Sequence, residues 1–92
     1  MARLSSLAVK RHLTRFKGWK QIGDAIQKQY TFSNFKEAMF FVNIVAGLAE
    51  KAGHHPDITV NYNRVTLSLS SHDAGGLTRK DFDLAKRLEA VI

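Results

Sequence analysis

Three histidines carry most of the chemistry open to this sequence. His54 and His55 are adjacent and lead into Pro56, the only proline of the chain, and His72 follows further on. Imidazole has a reference pKa near about 6.5, so it gives or takes a proton at neutral pH with little tuning. Two or three such rings around one ligand suit a reaction that needs an acid and a base together. Dehydration is such a reaction: one group protonates the leaving hydroxyl while another removes a proton from the adjacent atom. The chain has no cysteine, which excludes thiol nucleophiles, thiolate metal sites and disulfides. Three histidines could bind zinc. However, neighbours in an extended segment point to opposite sides, no two histidines stand at helical HxxxH spacing, and no carboxylate lies at an obvious ligand offset. No metal is expected. A structural role is the competing account, and it suffices for His12, a helix-face residue.

The elements that must position these rings follow from hydrophobic periodicity and turn residues. Ser5 or Ser6 can cap a first helix that runs to about Arg15, with Leu7, Leu13 and Phe16 as an imperfect apolar stripe and Gly18 as its end. Trp19–Ile22 and Ala25–Phe32 read as strands around a Gly23-Asp24 turn, with Ile26, Tyr30 and Phe32 on one face. Lys28 interrupts that face, which suggests an edge strand or a snorkelling stem. Ser33 or Asn34 can cap a second helix. Its apolar residues form two sets: Phe35, Ala38, Met39, Val42, Val45, Ala46 and Ala49 facing the sheet, and Phe40, Phe41, Ile44 and Leu48 beside them. A small monomer cannot cover a helix on so many sides, so this helix is expected to pack against another subunit.

Gly53 closes that helix, Asp57–Asn61 and Arg64–Ser70 read as a hairpin around Tyr62-Asn63, and residues 71–76 form a loop. Thr78-Arg79-Lys80-Asp81 is a capping-box variant opening a last helix, with Leu84, Ala85, Leu88, Val91 and Ile92 on one face. The fold expected is α+β, in the order α-β-β-α-β-β-α: a two-layer sandwich in which three helices cover one face of a four-stranded antiparallel sheet. Centring the second hairpin on Tyr62-Asn63 sets His55 opposite Ser70, His54 opposite Ser71 and His72 opposite Gly53, and such partners lie about 5 Å apart at Cα. All three histidines should therefore share one end of the hairpin. The start of the last helix points its free N–H groups towards the same region, and Pro56 restricts the backbone of His55.

The 92 residues make one domain, spanning 1–92. A chain so short buries only about 60–65% of its unfolded surface, which leaves a structural metal or an oligomer interface as the sources of further stability. The formal charge is +6 and the pI about 10.0, which invites a nucleic-acid reading. Its distribution argues against one. Arg3, Lys10, Arg11, Arg15, Lys17 and Lys20 precede the first acid, Asp24, and from there on acids and bases balance. A solvated basic helix face is the simpler account. Met1–Phe16 reads either as part of an amphipathic first helix or as a short organelle-targeting peptide, and a cytoplasmic location is expected otherwise. No apolar run approaches the ~18 residues of a membrane span.

Glu50-Lys51-Ala52-Gly53-His54-His55-Pro56-Asp57, then Tyr62-Asn63, then Leu69 through Thr78, and then Asp81 with Leu84-Ala85 together resemble the pterin-4a-carbinolamine dehydratase family. Gly18-Trp19, Phe32, Phe35, Ala38, Phe41 and Val45-Ala46 also fit, so the resemblance runs from about Leu7 to Leu88. It implies a sheet extended across a dimer, with central helices packing dimers into a tetramer; dimer and tetramer both stand as expectations. It implies dehydration of 4a-hydroxytetrahydrobiopterin to the quinonoid dihydropterin, in tetrahydrobiopterin recycling for aromatic amino-acid hydroxylases, without metal or organic cofactor. By the same resemblance His54 and His72 form the acid/base pair and His55 helps position and polarise the substrate. Glu50 is placed to orient His54, Asp81 supports the site or caps its helix, and Trp19 lies near the pterin or in the core. Gly53, Pro56, Ser70 and Ser71 flank the histidines at the substrate, with Ser71 standing where many members have threonine. Some animal members also bind a dimeric transcription factor, so a non-catalytic protein-binding module is the alternative function.

Overall fold

The computed structural model describes residues 2–91. Met1 and Ile92 lie outside them, and with Ile92 the last expected position of the final helical face. The elements are α1 (Ser6–Leu13), β1 (Lys20–Ile22), β2 (Ala25–Thr31), α2 (Phe35–Ala52), β3 (Asp57–Asn61), β4 (Arg64–Leu69), a 3-10 turn over His72–Ala74, and α3 (Arg79–Ala90). The four strands form one antiparallel sheet in the order β1-β2-β4-β3.

Strict alternation sets the two faces of the sheet. Val65, Leu67 and Leu69 of β4 are fully buried, flanked by Ile26 and Tyr30 of β2 and by Ile58 and Val60 of β3. Val9 of α1, Ala38, Phe41 and Val45 of α2, and Phe82, Leu84 and Leu88 of α3 join the same core. The opposite face carries Gln27, Gln29, Thr59, Thr66 and Ser68. Among the described residues, no helix is long and apolar enough to cross a membrane.

The helices depart from their sequence patterns in instructive ways. Ser5 caps α1 by accepting from the Ala8 N–H, but the helix ends at Leu13 rather than near Arg15. The Thr14 hydroxyl donates to the Arg11 carbonyl at 2.7 Å, and the chain beyond it tightens into bonds from Arg15 N–H to the His12 carbonyl and from Phe16 N–H to the Leu13 carbonyl. The buried residue of α1 is Val9, and Leu13 and Phe16 pack against the core as expected, whereas Leu7 is 60% exposed and falls outside the apolar stripe. In α2, capped by Asn34, Phe41 belongs to the core, its ring tilted against those of Tyr30 and Phe32, while Phe35 and Ala46 face outward. In α3, Val91 is an exposed C-cap and not part of the buried face.

Lys28 lies on β2, an interior strand, so the edge-strand account is overturned. Its stem crosses the sheet face and its Nζ donates to Glu89 Oε1 of α3 at 2.6 Å and to the Lys17 carbonyl at 3.3 Å. The Tyr30 hydroxyl donates to the other oxygen of Glu89 at 3.2 Å. Burial, and then the charge of Glu89 and its hydrogen bond, push the Tyr30 phenol well above the usual tyrosine range. The folded state thus holds that proton where the unfolded chain, titrating near about 10, has released it. Stability tied to Tyr30 is complete below that pH and falls as pH rises through and beyond it. The urea midpoint is expected to drop between pH ~9 and ~11, and Tyr30→Phe to make that drop smaller. Equal drops in both proteins would assign alkaline sensitivity elsewhere.

Candidate active site

The approach to the site begins where α2 stops. Gly53 adopts the left-handed conformation at φ 66°. Its N–H donates to the Glu50 carbonyl at 3.2 Å, and the His54 N–H donates to the Ala49 carbonyl at 3.1 Å. These two bonds are the Schellman closure, which glycine reaches without a Cβ penalty. They fix the direction in which His54 leaves the helix.

The two neighbouring rings then go to different elements. His54 Nε2 lies 2.5 Å from Asp81 Oδ1 at the start of α3, with the ring mostly buried and the carboxylate completely so. His55 Nε2 pairs instead with Glu50 Oε2, and both of those side chains are exposed. Glu50 is therefore the partner of His55 and not of His54, contrary to expectation. Glu50 lies in the last turn of α2, and the buried side of the segment is already taken by Asp81.

Asp81 is the hub of the arrangement. Its Oδ2 accepts from the Ser71 hydroxyl at 2.9 Å and from the Thr78 N–H at 2.9 Å, the latter being half of a capping box. The Ser71 and Thr78 hydroxyls lie 2.8 Å apart. A carboxylate only accepts, so Ser71 donates to Asp81 and Thr78 donates to Ser71. By the same rule the His54 nitrogen facing Asp81 carries its proton, and Nδ1 is left as the acceptor of the neutral ring. Among the described residues Nδ1 has no hydrogen-bond partner. The buried carboxylate thus fixes a tautomer and a ring direction, and can stabilise a positive charge arriving on that ring.

His72 follows Ser71 directly and opens the 3-10 turn. Its exposed ring has no hydrogen bond among the described residues. The turn is closed at its base by paired backbone bonds between Ser71 and Gly76, at 3.0 and 3.3 Å. The N-terminal segment holds this base from outside: Leu4 N–H donates to the Leu77 carbonyl at 2.7 Å, and Arg3 reaches the Gly75 carbonyl. A Cβ on Gly76 would fall 2.4 Å from the Arg3 side chain, so glycine at this position makes room for that crossing.

The hairpin register agrees with the sequence over Asp57–Asn61, where Asp57 pairs with Ser68 and Asn61 with Arg64. It does not extend to the histidines. The ladder stops at Asp57, and Ser71 pairs with Gly76 instead of His54. His54 is carried to Ser71 through Asp81, which sequence pairing did not foresee.

The other expected residues fall as follows. Ser70 donates its hydroxyl to the Asp24 carbonyl at 2.8 Å, tying the end of β4 to the first hairpin. Pro56 is partly buried between the histidines and β3. Trp19 is 5% exposed within the core, and its indole N–H has no partner. It offers little open surface. Among the described residues no group of three or more His, Asp or Glu is gathered as a metal site. The buried Thr78 hydroxyl and the Arg3–Leu4 contact were missed. Thr78 was legible only as a cap, and the N-terminal contact carries no local signal.

Comparison with known proteins places this geometry. A family model described as pterin 4 alpha carbinolamine dehydratase matches residues 2–91. A Thermomicrobium roseum protein provisionally named pterin-4-alpha-carbinolamine dehydratase is 53% identical over 88 residues, covering 96% of this chain and 95% of that one. A protein of Acidobacterium capsulatum with the same provisional name is 51% identical over the full length of both. The crystal structure of a transcriptional coactivator/pterin dehydratase from Brucella melitensis superposes with a TM-score of 0.92 at 32% identity, covering 97% of each chain.

Proposed function

Since the chain belongs to the pterin-4-alpha-carbinolamine dehydratase family, we propose that it dehydrates 4a-hydroxytetrahydropterins, with 4a-hydroxytetrahydrobiopterin as the reference substrate. The C4a–O bond breaks, the hydroxyl leaves as water after gaining a proton, and the N5–H proton is removed. The electron pair of the N5–H bond forms the C4a=N5 double bond of the quinonoid dihydropterin. Electrons balance without a redox partner, so a proton donor and a proton acceptor suffice.

The observation that carries this reading is the His54–Asp81 pair. With its Nε2 proton held by a buried carboxylate, His54 takes the N5 proton on Nδ1, and Asp81 stabilises the imidazolium that results. His72, one residue from the Ser71 hydroxyl that anchors Asp81, supplies the proton to the leaving hydroxyl. His55, oriented by Glu50, positions the pterin. In an organism with aromatic amino-acid hydroxylases this reaction would return their cofactor to use. The test is stopped-flow mixing of the protein with synthetic 4a-hydroxytetrahydropterin. Acceleration of quinonoid formation well above the uncatalysed rate is expected; an unchanged rate would remove the proposal.

We also propose a homodimer or homotetramer in which α2 is covered by a second copy. Phe35 and Phe40 are 52% and 69% exposed on the outer side of that helix, beside a groove of about 870 Å³ that includes Met39 and Asn43. Apolar rings exposed together on one helix mark an association surface. Light scattering after size exclusion at micromolar concentration should give a multiple of the chain mass, and a monomer would overturn this. The same surface favours a second function, that of a module docking a dimeric transcription factor. A protein that binds such a factor while leaving the pterin carbinolamine rate unchanged would establish that reading in place of the first.

A further inference from the structure

A small cleft beside His54 has a charge that dehydration does not use. It measures about 240 Å³ and is lined by Lys51, His54, Lys80, Asp83, Leu84 and Arg87. Three cations thus face one acid, in a chain whose charges balance from Asp24 onward. Among the described residues neither Lys51, Lys80 nor Arg87 forms an ion pair. Lys51 and Arg87 stand in the last turns of α2 and α3, where a cation suits the helix dipole. Lys80 stands in the first turn of α3, where it does not. Helix stability therefore leaves the charge of Lys80 unexplained.

Size narrows the ligand. Whole small-molecule pockets run from roughly 300 to 1,000 Å³, so this cleft suits a substituent better than a complete ligand. It shares His54 with the proposed reaction site. A pterin held there for proton transfer could extend its side chain into the cleft. We propose that the substrate bears an anionic group, a phosphate or carboxylate, on that side chain, and that Lys51, Lys80 and Arg87 receive it. Lysine and arginine donors gain most from a charged oxygen acceptor. The inference rests on the dehydratase reading for the ligand's ring and adds the chemistry of its tail.

Three fluorescent pterins test it: one with a neutral hydroxyalkyl chain, its phosphate ester, and the corresponding carboxylate. Their dissociation constants are read by fluorescence titration at low and high salt. At low salt an anionic pterin is expected to bind at least ~10-fold tighter than the neutral one. Added salt should shrink that ratio, and the Lys80→Gln/Arg87→Gln double variant should bring it within about twofold of unity. Preference for the phosphate alone, or for both anions, supports the proposal and tells the two groups apart. Equal affinities for all three, no binding of any of them, or a preference that survives in the double variant overturns it. Dehydration of the matching 4a-hydroxytetrahydropterins is measured in parallel. Failure to turn over any of them would sink the dehydratase reading, while the binding ratio still decides the cleft.

Discussion

Alanine at His54, and separately at His72, is expected to lower the rate of dehydration of a 4a-hydroxytetrahydropterin by ~10²-fold or more, the usual loss on removing a positioned acid or base. The expectation differs in kind for the two sites. His54 is mostly buried and tied to Asp81, so its removal also leaves a buried carboxylate short of one donor. His72 is exposed on a 3-10 turn whose base is closed by backbone bonds, so its ring can go with little change to the fold. His72→Ala is thus the cleaner test of chemistry, and His54→Ala requires a parallel unfolding measurement. Circular dichroism and urea midpoints would identify any part of the loss that comes from unfolding. If both variants keep rates within a factor of two of the parent, the two rings are not the acid and base.

Asp81→Asn separates the two duties of the buried carboxylate. The side chain keeps its size, but one of its two accepting oxygens becomes a donor. Ser71 and Thr78 together offer two donors to Oδ2, and His54 offers one to Oδ1. The amide oxygen therefore stays with Ser71 and Thr78, and the amide nitrogen faces His54. That ring must then accept at Nε2, so its proton moves to Nδ1, the nitrogen proposed as base. The rate is expected to fall by ~10²-fold or more while α3 keeps its cap. Asp81→Ala, by contrast, leaves one proton of the buried Ser71–Thr78 hydroxyl pair and the Thr78 N–H without an acceptor and should destabilise the protein by about 2–4 kcal/mol. Urea unfolding of both variants beside their dehydration rates tests this directly. An asparagine variant as fast as the parent would leave Asp81 with the cap alone.

Much of the positioning of this site was legible in the sequence because it is local. Gly53 after a long apolar helix announces its closure, Thr78 with Asp81 announces a capped helix, and Tyr62-Asn63 between alternating runs sets the hairpin register. Those signals bring His54, Ser71 and Asp81 towards one end of the sheet. What stayed hidden depends on contacts between distant elements. Glu50 is one helical turn from His54, yet its partner is decided by Asp81, which occupies the buried side first. In α2 apolar residues occupy most positions and lie on several sides, so the phase of its buried stripe, with Phe41 inside and Phe35 outside, cannot be read from periodicity. Lys28 gave a true signal with two explanations, and only the strand order and the position of Glu89 decide between them. The cations beside His54 come from two helices, and no spacing within either one reveals their meeting.

The grip of Arg3 and Leu4 on residues 75–77 also has a consequence for how the protein is made. The Arg3–Gly75 bond spans 72 positions of sequence. Contacts between such distant residues close large loops, so they carry a high entropic cost and tend to form late in folding. A chain growing from its N-terminus presents Arg3 and Leu4 long before the residues they hold have been synthesised. The turn that carries His72 is therefore expected to take its final setting after the sheet has paired, late in folding. Slow, late acquisition of catalytic competence after refolding, lagging behind the return of secondary structure, is the kinetic signature this predicts.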